Sequence, residues 1–158
     1  MPPLTNCGPP SACCASPTTR PTPGPPSPAL ADLDTLISSV RGSGTSVTVA
    51  RTGVRRPLAP STELTAYRII QEALTNTHKH ASGAHAEVTL DYGATTLRVT
   101  VTDDGPPHTA KGPGTGHGLI GMRERATAIG GTVTAGPRPE GGFLVSAELP
   151  LTLVSTTV

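Results

Sequence analysis

The sequence predicts an α/β (α+β) two-layer sandwich, with a mixed, largely antiparallel sheet carrying helices on one face; three observations lead there. Apolar residues recur at helical spacing in a few segments, the clearest of them beginning just after Pro60. Five short segments alternate apolar and polar residues as half-buried strands do. The chain has one Phe, two Tyr and no Trp, so its core must be built from Val, Leu, Ile and Ala, which suits a small sandwich.

Residues 1–28 carry ten prolines and almost no large aliphatics. Such a segment cannot bury enough apolar surface to offset its ordering entropy, so it is expected to be a disordered Pro-rich tail. Order is expected from residue 29 to 151, with 152–158 as a C-terminal tail. Leu33, Leu36, Ile37 and Val40 recur at helical spacing; Asp32 and Asp34 suit the positive end of that helix, and Gly42 and Gly44 end it. Ser46–Arg51 alternates Val47 and Val49 with polar residues and reads as a strand.

Pro60 precedes a long helix that runs to about His80, with Ser61 or Thr62 as its cap and Glu63 in its first turn. Leu64, Tyr67, Ile70 and Leu74, with Ala66, Ile69 and Ala73 beside them, form its expected buried stripe. Strands follow at His85–Leu90 and Thr96–Thr102, joined by a turn at Asp91-Tyr92-Gly93. A Gly- and Pro-rich loop spans Gly105 to Gly116. A helix from His117 to about Ile129 stops at Gly130-Gly131, and strands at Thr132–Ala135 and Phe143–Leu149 close the chain.

Composition narrows the function. Twelve Lys and Arg against eleven Asp and Glu leave a net charge of +1, with no electrostatic case for nucleic acid or an anionic membrane as partner. No apolar run reaches the roughly 18 residues needed to span a bilayer. The start of the chain lacks the basic-then-apolar pattern of a secretory signal. Cys7, Cys13 and Cys14 have spacings that fit neither a zinc site nor a disulfide framework, so they are expected as reduced thiols in a cytoplasmic protein.

Three stretches carry chemistry. On the long helix, Glu72, Asn76 and His80 stand at i, i+4 and i+8, with Lys79 at i+7, making one polar stripe beside the buried one. A stripe of that kind also describes a solvated face. However, Asn is a poor interior helix former, and a carboxylate, an amide oxygen and two potential cations would suit Mg²⁺ with phosphates, since magnesium takes hard oxygen ligands and keeps several waters. The second stretch, Val101-Thr102-Asp103-Asp104-Gly105, ends a strand. A buried carboxylate there can accept from an exocyclic amine such as adenine N6, and the Gly lets backbone approach a ring, although Asp-Gly turns are common in themselves. The third, Gly112-Pro113-Gly114-Thr115-Gly116-His117-Gly118-Leu119, leads into a helix N-terminus, where bare N–H groups suit phosphate. Gly116 to Gly121 also spells G-x-G-x-x-G, but no strand feeds it directly and no second βαβ unit follows, which excludes a dinucleotide fold; there is no P-loop either.

In this order, the three stretches resemble the N, G1 and G2 boxes of the GHKL ATPase superfamily. The closer resemblance is to the catalytic, ATP-binding domain of sensor histidine kinases of the nitrate- and lipid-fluidity-sensor subgroup. It rests on Tyr67-Arg68-Ile69-Ile70-Gln71-Glu72-Ala73-Leu74-Thr75-Asn76, on Lys79-His80-Ala81, and on the stretch from Gly116 through Gly-Met-Arg-Glu-Arg to Arg125. Gly130-Gly131 and Gly141-Gly142-Phe143 also look like that family.

The resemblance implies the Bergerat fold, with ATP and Mg²⁺ as cofactors. It implies that Asn76 ligates Mg²⁺, that Lys79 and His80 face the phosphates, and that Glu72 polarises or acts as base near the γ-phosphate. Asp103 would bind the adenine amine with Gly105 below the ring, and Gly114, Gly116, Gly118 and Leu119 would belong to the ATP lid. Arg123 and Arg125 stand either as lid-helix surface or as phosphate contacts. Pro107 replaces a usual Gly, and Phe143 a frequent Thr. The family's acceptor His lies in an upstream dimerisation helix, whereas His78, His80, His85, His108 and His117 all lie elsewhere. The expectation is therefore an ATP-dependent protein-histidine kinase domain that phosphorylates a His on a separate dimerisation domain or partner chain, and acts on a response regulator indirectly. Two alternatives stand beside it: an anti-sigma-factor-type protein-serine kinase, and a non-catalytic nucleotide-binding module.

Overall fold

The computed structural model describes residues 28–106 and 115–151. The three cysteines, Pro107, His108, Gly114 and nearly all of the two expected tails lie outside the described residues. After a short 3-10 turn at Leu30–Asp32 come α1 (Leu33–Gly42), β1 (Ser46–Gly53), α2 (Pro60–His80), β2 (His85–Tyr92), β3 (Thr96–Asp103), α3 (Thr115–Ala128), β4 (Thr132–Pro137) and β5 (Phe143–Pro150).

The five strands form one sheet in the order β1-β2-β3-β5-β4. β1 pairs with β2 in parallel, because α2 carries the chain back across the sheet between them; all other pairs are antiparallel. The mixed sheet and its helices have the architecture expected from the sequence. In β2 and β3, alternate residues are buried: Ala86, Val88, Leu90 and Tyr92 on one strand, Leu97, Val99, Val101 and Asp103 on the next. The period of two thus sets one face against the helices. The other face is polar. Arg98 and Glu148 are register partners there and form a 2.6 Å ion pair, exposed enough to add little stability.

The helices supply the other half of the core. Leu33 and Ile37 of α1, Ile69, Ile70 and Leu74 of α2, and Met122 and Ala126 of α3 are buried in one continuous cluster with the sheet. The half-buried Leu119 on α3, and Ile129 just past its end, extend the Met122–Ala126 stripe at helical spacing.

Four local expectations need correction. The cap of α2 is neither Ser61 nor Thr62 but Ala59, with no side-chain cap bond, since Pro60 takes the first helical position, where its missing N–H costs nothing. The Thr62 hydroxyl instead donates to the Pro150 carbonyl at 3.4 Å, tying the base of α2 to β5. The buried stripe of α2 is rotated. Leu64 and Tyr67 are only half-buried, while Thr62, Thr65 and Thr77 are buried, because those threonines have acceptors within reach or small enough bulk to sit against the sheet. Asp91 and Tyr92 belong to β2, and the turn falls after them, closed by the Gly93 N–H donating to the Thr96 carbonyl at 2.9 Å. Finally, α3 begins at Thr115, so Gly116 lies in the helix rather than in the preceding loop.

β1 is an edge strand, paired on one side only. Arg41, in the last turn of α1, donates from Nε at 3.0 Å and Nη2 at 2.6 Å to the Val47 carbonyl of this strand.

Ile70 has no exposed surface. Ile70→Ala is expected to lower unfolding free energy by about 2–5 kcal/mol, measured by urea denaturation, through lost burial and the cavity left behind.

Candidate functional site

The site lies at the end of the sheet where β3 stops. The alternation that buries Val99 and Val101 also directs Asp103 inward beneath α2, leaving it 4% exposed. A carboxylate in such a place needs donors. Its Oδ1 accepts from the Gly105 N–H at 3.0 Å, and its Oδ2 lies 3.4 Å from the Thr77 hydroxyl, whose single proton is shared with the nearer Ala73 carbonyl at 3.1 Å. The next residue turns outward: Asp104 Oδ1 accepts from the His85 N–H at 2.6 Å, and the Asp104 N–H donates to the His85 carbonyl at 3.2 Å, fastening the end of β3 to the start of β2.

Two glycines let other segments close on Asp103. Gly142, at φ +81°, packs so tightly that an added Cβ would overlap the Asp103 carbonyl oxygen and stand 3.1 Å from Oδ1. At Gly105 an added Cβ would overlap that of Ala81, the residue that ends α2. Thus the turn before β5, the chain after β3 and the C-terminus of α2 all meet at one carboxylate.

The expected site residues distribute around this point. Asn76 precedes Thr77 and is half-buried; Glu72, one turn earlier, is half-buried against α3, where Gly118 abuts its carboxylate. Lys79 and His80 are exposed in the last turn of α2. Gly116 and Gly118 both lie in the first turn of α3, and Leu119 packs against the core from the same turn. Arg123 and Arg125 are exposed. Of the other described histidines, His78 Nδ1 is 3.1 Å from the Thr45 hydroxyl, His85 bridges the Ser46 and Thr48 hydroxyls at 3.0 and 3.1 Å, and His117 is exposed in the first turn of α3.

Sequence reasoning missed Thr77 and Gly142. Thr77 continues the Ile70–Ala73–Leu74 stripe, so helical periodicity alone could have flagged a buried hydroxyl there. For Gly142 the signal was the Gly-Gly pair before a strand, with positive φ at both positions.

The fold is shared with known proteins. The blue-light activated histidine kinase of Erythrobacter litoralis EL346 superposes with a TM-score of 0.64 at 23% identity, over 78% of this chain and 42% of that one. The catalytic domain of histidine kinase ThkA superposes with a TM-score of 0.56 at 20% identity, over 76% of this chain and 95% of that one. These likenesses establish the fold class, that of histidine kinase catalytic domains. The model of the histidine kinase-, DNA gyrase B- and HSP90-like ATPase family matches residues 61–153, and the chain belongs to that family.

Among curated proteins, the chain is 42% identical over 93 residues to the sensor histidine kinase YxjM of Bacillus subtilis (strain 168), covering 58% of this chain and 22% of that protein. It is 37% identical over 92 residues to the oxygen sensor histidine kinase NreB of Staphylococcus carnosus (strain TM300), covering 57% of this chain and 26% of that protein. The matched region therefore spans a quarter or so of these relatives' length.

Gly83 and Gly142 share nearly the same positive φ, +84° and +81°, but a Cβ at Gly83 meets nothing within 4 Å. Gly83→Ala is expected to cost only the left-handed penalty, about 1–2 kcal/mol. Gly142→Ala should cost about 1–3 kcal/mol more from its collision with Asp103. Paired denaturation curves of the two variants give the difference directly.

Proposed function

We propose that this chain binds ATP·Mg²⁺ between the second half of α2, the end of β3 and the first turn of α3, and donates the γ-phosphoryl to a histidine. The observation that carries this reading is the Thr77–Asp103 contact at 3.4 Å, which brings the helix bearing Asn76 against the strand-end carboxylate. Family membership supports ATP as the ligand. In this reading the catalytic domain extends over residues 29–151.

Asp103 recognises the adenine amine. The Gly105 N–H and the Thr77 hydroxyl orient the carboxylate for that contact. Gly105 lies below the ring. Gly114, Gly116, Gly118 and Leu119 belong to the segment that covers the phosphates.

The donor set fits Mg²⁺ held mainly by its nucleotide. Asn76 would hold the ion through its neutral amide oxygen, which suits a metal that takes hard oxygen ligands and keeps several waters. Bound there, the ion supplies charge neutralisation on the phosphates. Lys79 and His80 add positive charge at the same end of α2, and Glu72 orients or deprotonates the attacking group beside the γ-phosphate.

Transfer then depends on positioning and electrostatics, with an in-line nucleophile from outside this domain. The acceptor is a His on a dimerisation domain, in a separate chain or a further segment, and a response regulator receives the phosphoryl from it. Among the described residues no helix is long and apolar enough to cross a membrane. ATP as substrate places the work on the cytoplasmic side.

Titration of nucleotides into the full chain tests the site. Asn76→Ala should abolish the Mg²⁺ dependence of ATP affinity while the fold is kept, as read by circular dichroism; a retained dependence removes the metal role. Asp103→Ala should weaken ATP and ADP alike by about 1–3 kcal/mol, the cost of one buried hydrogen bond. Incubation with γ-labelled ATP and a dimerisation-helix fragment should leave label on the fragment's His, and label found on Ser would favour the serine-kinase alternative.

A further inference from the structure

Gly116 and Gly118 belong to one glycine run and share the first turn of α3, yet their surroundings differ. Neither has a positive φ, so the backbone requires glycine at neither, and helix propensity alone would favour alanine at both. A Cβ at Gly116 meets nothing within 4 Å. A Cβ at Gly118 would overlap Glu72 Oε1 and lie 3.2 Å from its Cδ and 3.4 Å from its Cγ. The end of the Glu72 side chain therefore occupies the space that a side chain at 118 would fill.

Which partner yields to an added methyl follows from the packing. α3 is held by Met122 and Ala126, both wholly buried in the core, so lifting the helix would open that core. The Glu72 carboxylate is the far end of a flexible, half-buried side chain and swings at small cost.

We propose that Gly118 is a positioning residue: the missing side chain is the seat that holds the Glu72 carboxylate in place beneath the first turn of α3. Gly116 has no such duty in the free protein. The consequence for chemistry rests on the reading of Glu72 as the residue beside the γ-phosphate; the seat itself does not.

Two measurements on the full chain separate these halves. In the ligand-free protein, Gly118→Ala should move the Glu72 side-chain carboxyl ¹³C resonance, assigned with Glu72→Gln, while thermal stability is kept. An unmoved resonance overturns the seat. So does a fall in Tm of about 5 °C or more with faster amide exchange along α3, because the helix rather than the carboxylate would then have yielded. With nucleotide, Gly118→Ala should shift the ratio of ATP to ADP affinity by about threefold or more in the direction that Glu72→Gln shifts it, and the double variant should match Glu72→Gln alone. A ratio that Glu72→Gln changes and Gly118→Ala leaves alone overturns the positioning role. Failure of the unaltered chain to bind either nucleotide would sink the nucleotide reading instead, and the carbon resonance would still decide the seat.

Discussion

The contact from the Thr77 hydroxyl to the Asp103 carboxylate is the constraint that joins α2 to the end of β3. Strand alternation drives Asp103 into the covered face of the sheet, where an ionised group without donors would be too costly to keep. Thr77 answers from α2 and the Gly105 N–H from the chain beyond β3. The buried carboxylate thus ties the C-terminal half of α2 to the end of β3. Asn76 is the neighbour of Thr77 in the helix, one step of rotation away, and half-buried.

Close approach of backbone completes the same corner. The turn before β5 comes against Asp103 because Gly142 carries no side chain, and the chain leaving β3 comes against Ala81 because Gly105 carries none. The small residues at this end of the molecule are spacers that set distances between segments. The base of α2 is held differently, by the Thr62 hydroxyl on the Pro150 carbonyl, so both ends of the helix are tied to the sheet through threonines. Between them the attachment is apolar, through Ile69, Ile70, Ala73 and Leu74.

Much of the fold was legible because its strands alternate cleanly and α2 is long and periodic. Misplaced details trace to interactions that no local pattern encodes. Ser61 and Thr62 looked like caps, but Pro60 preorganises the first turn and frees Thr62 for a partner far along the chain. Tyr67 looked like core by hydrophobicity, whereas the sheet selects the neighbouring face with Ala66 and Ile70. The candidate site was legible as motifs, since Asp103 and Asn76 announce themselves by residue type and position. Its cohesion was not: Thr77 to Asp103 and Gly118 to Glu72 are contacts between elements, visible only once the sheet has set their separation.

The strand order leaves β1 at one margin of the sheet, a place where exposed main-chain groups invite a strand from another molecule. Arg41 already holds the Val47 carbonyl there with two donors from its guanidinium. A newcomer would have to evict a charge-assisted contact before adding its own ladder. At this one edge, a further strand's access to the Val47 carbonyl is thus opposed by a residue of α1.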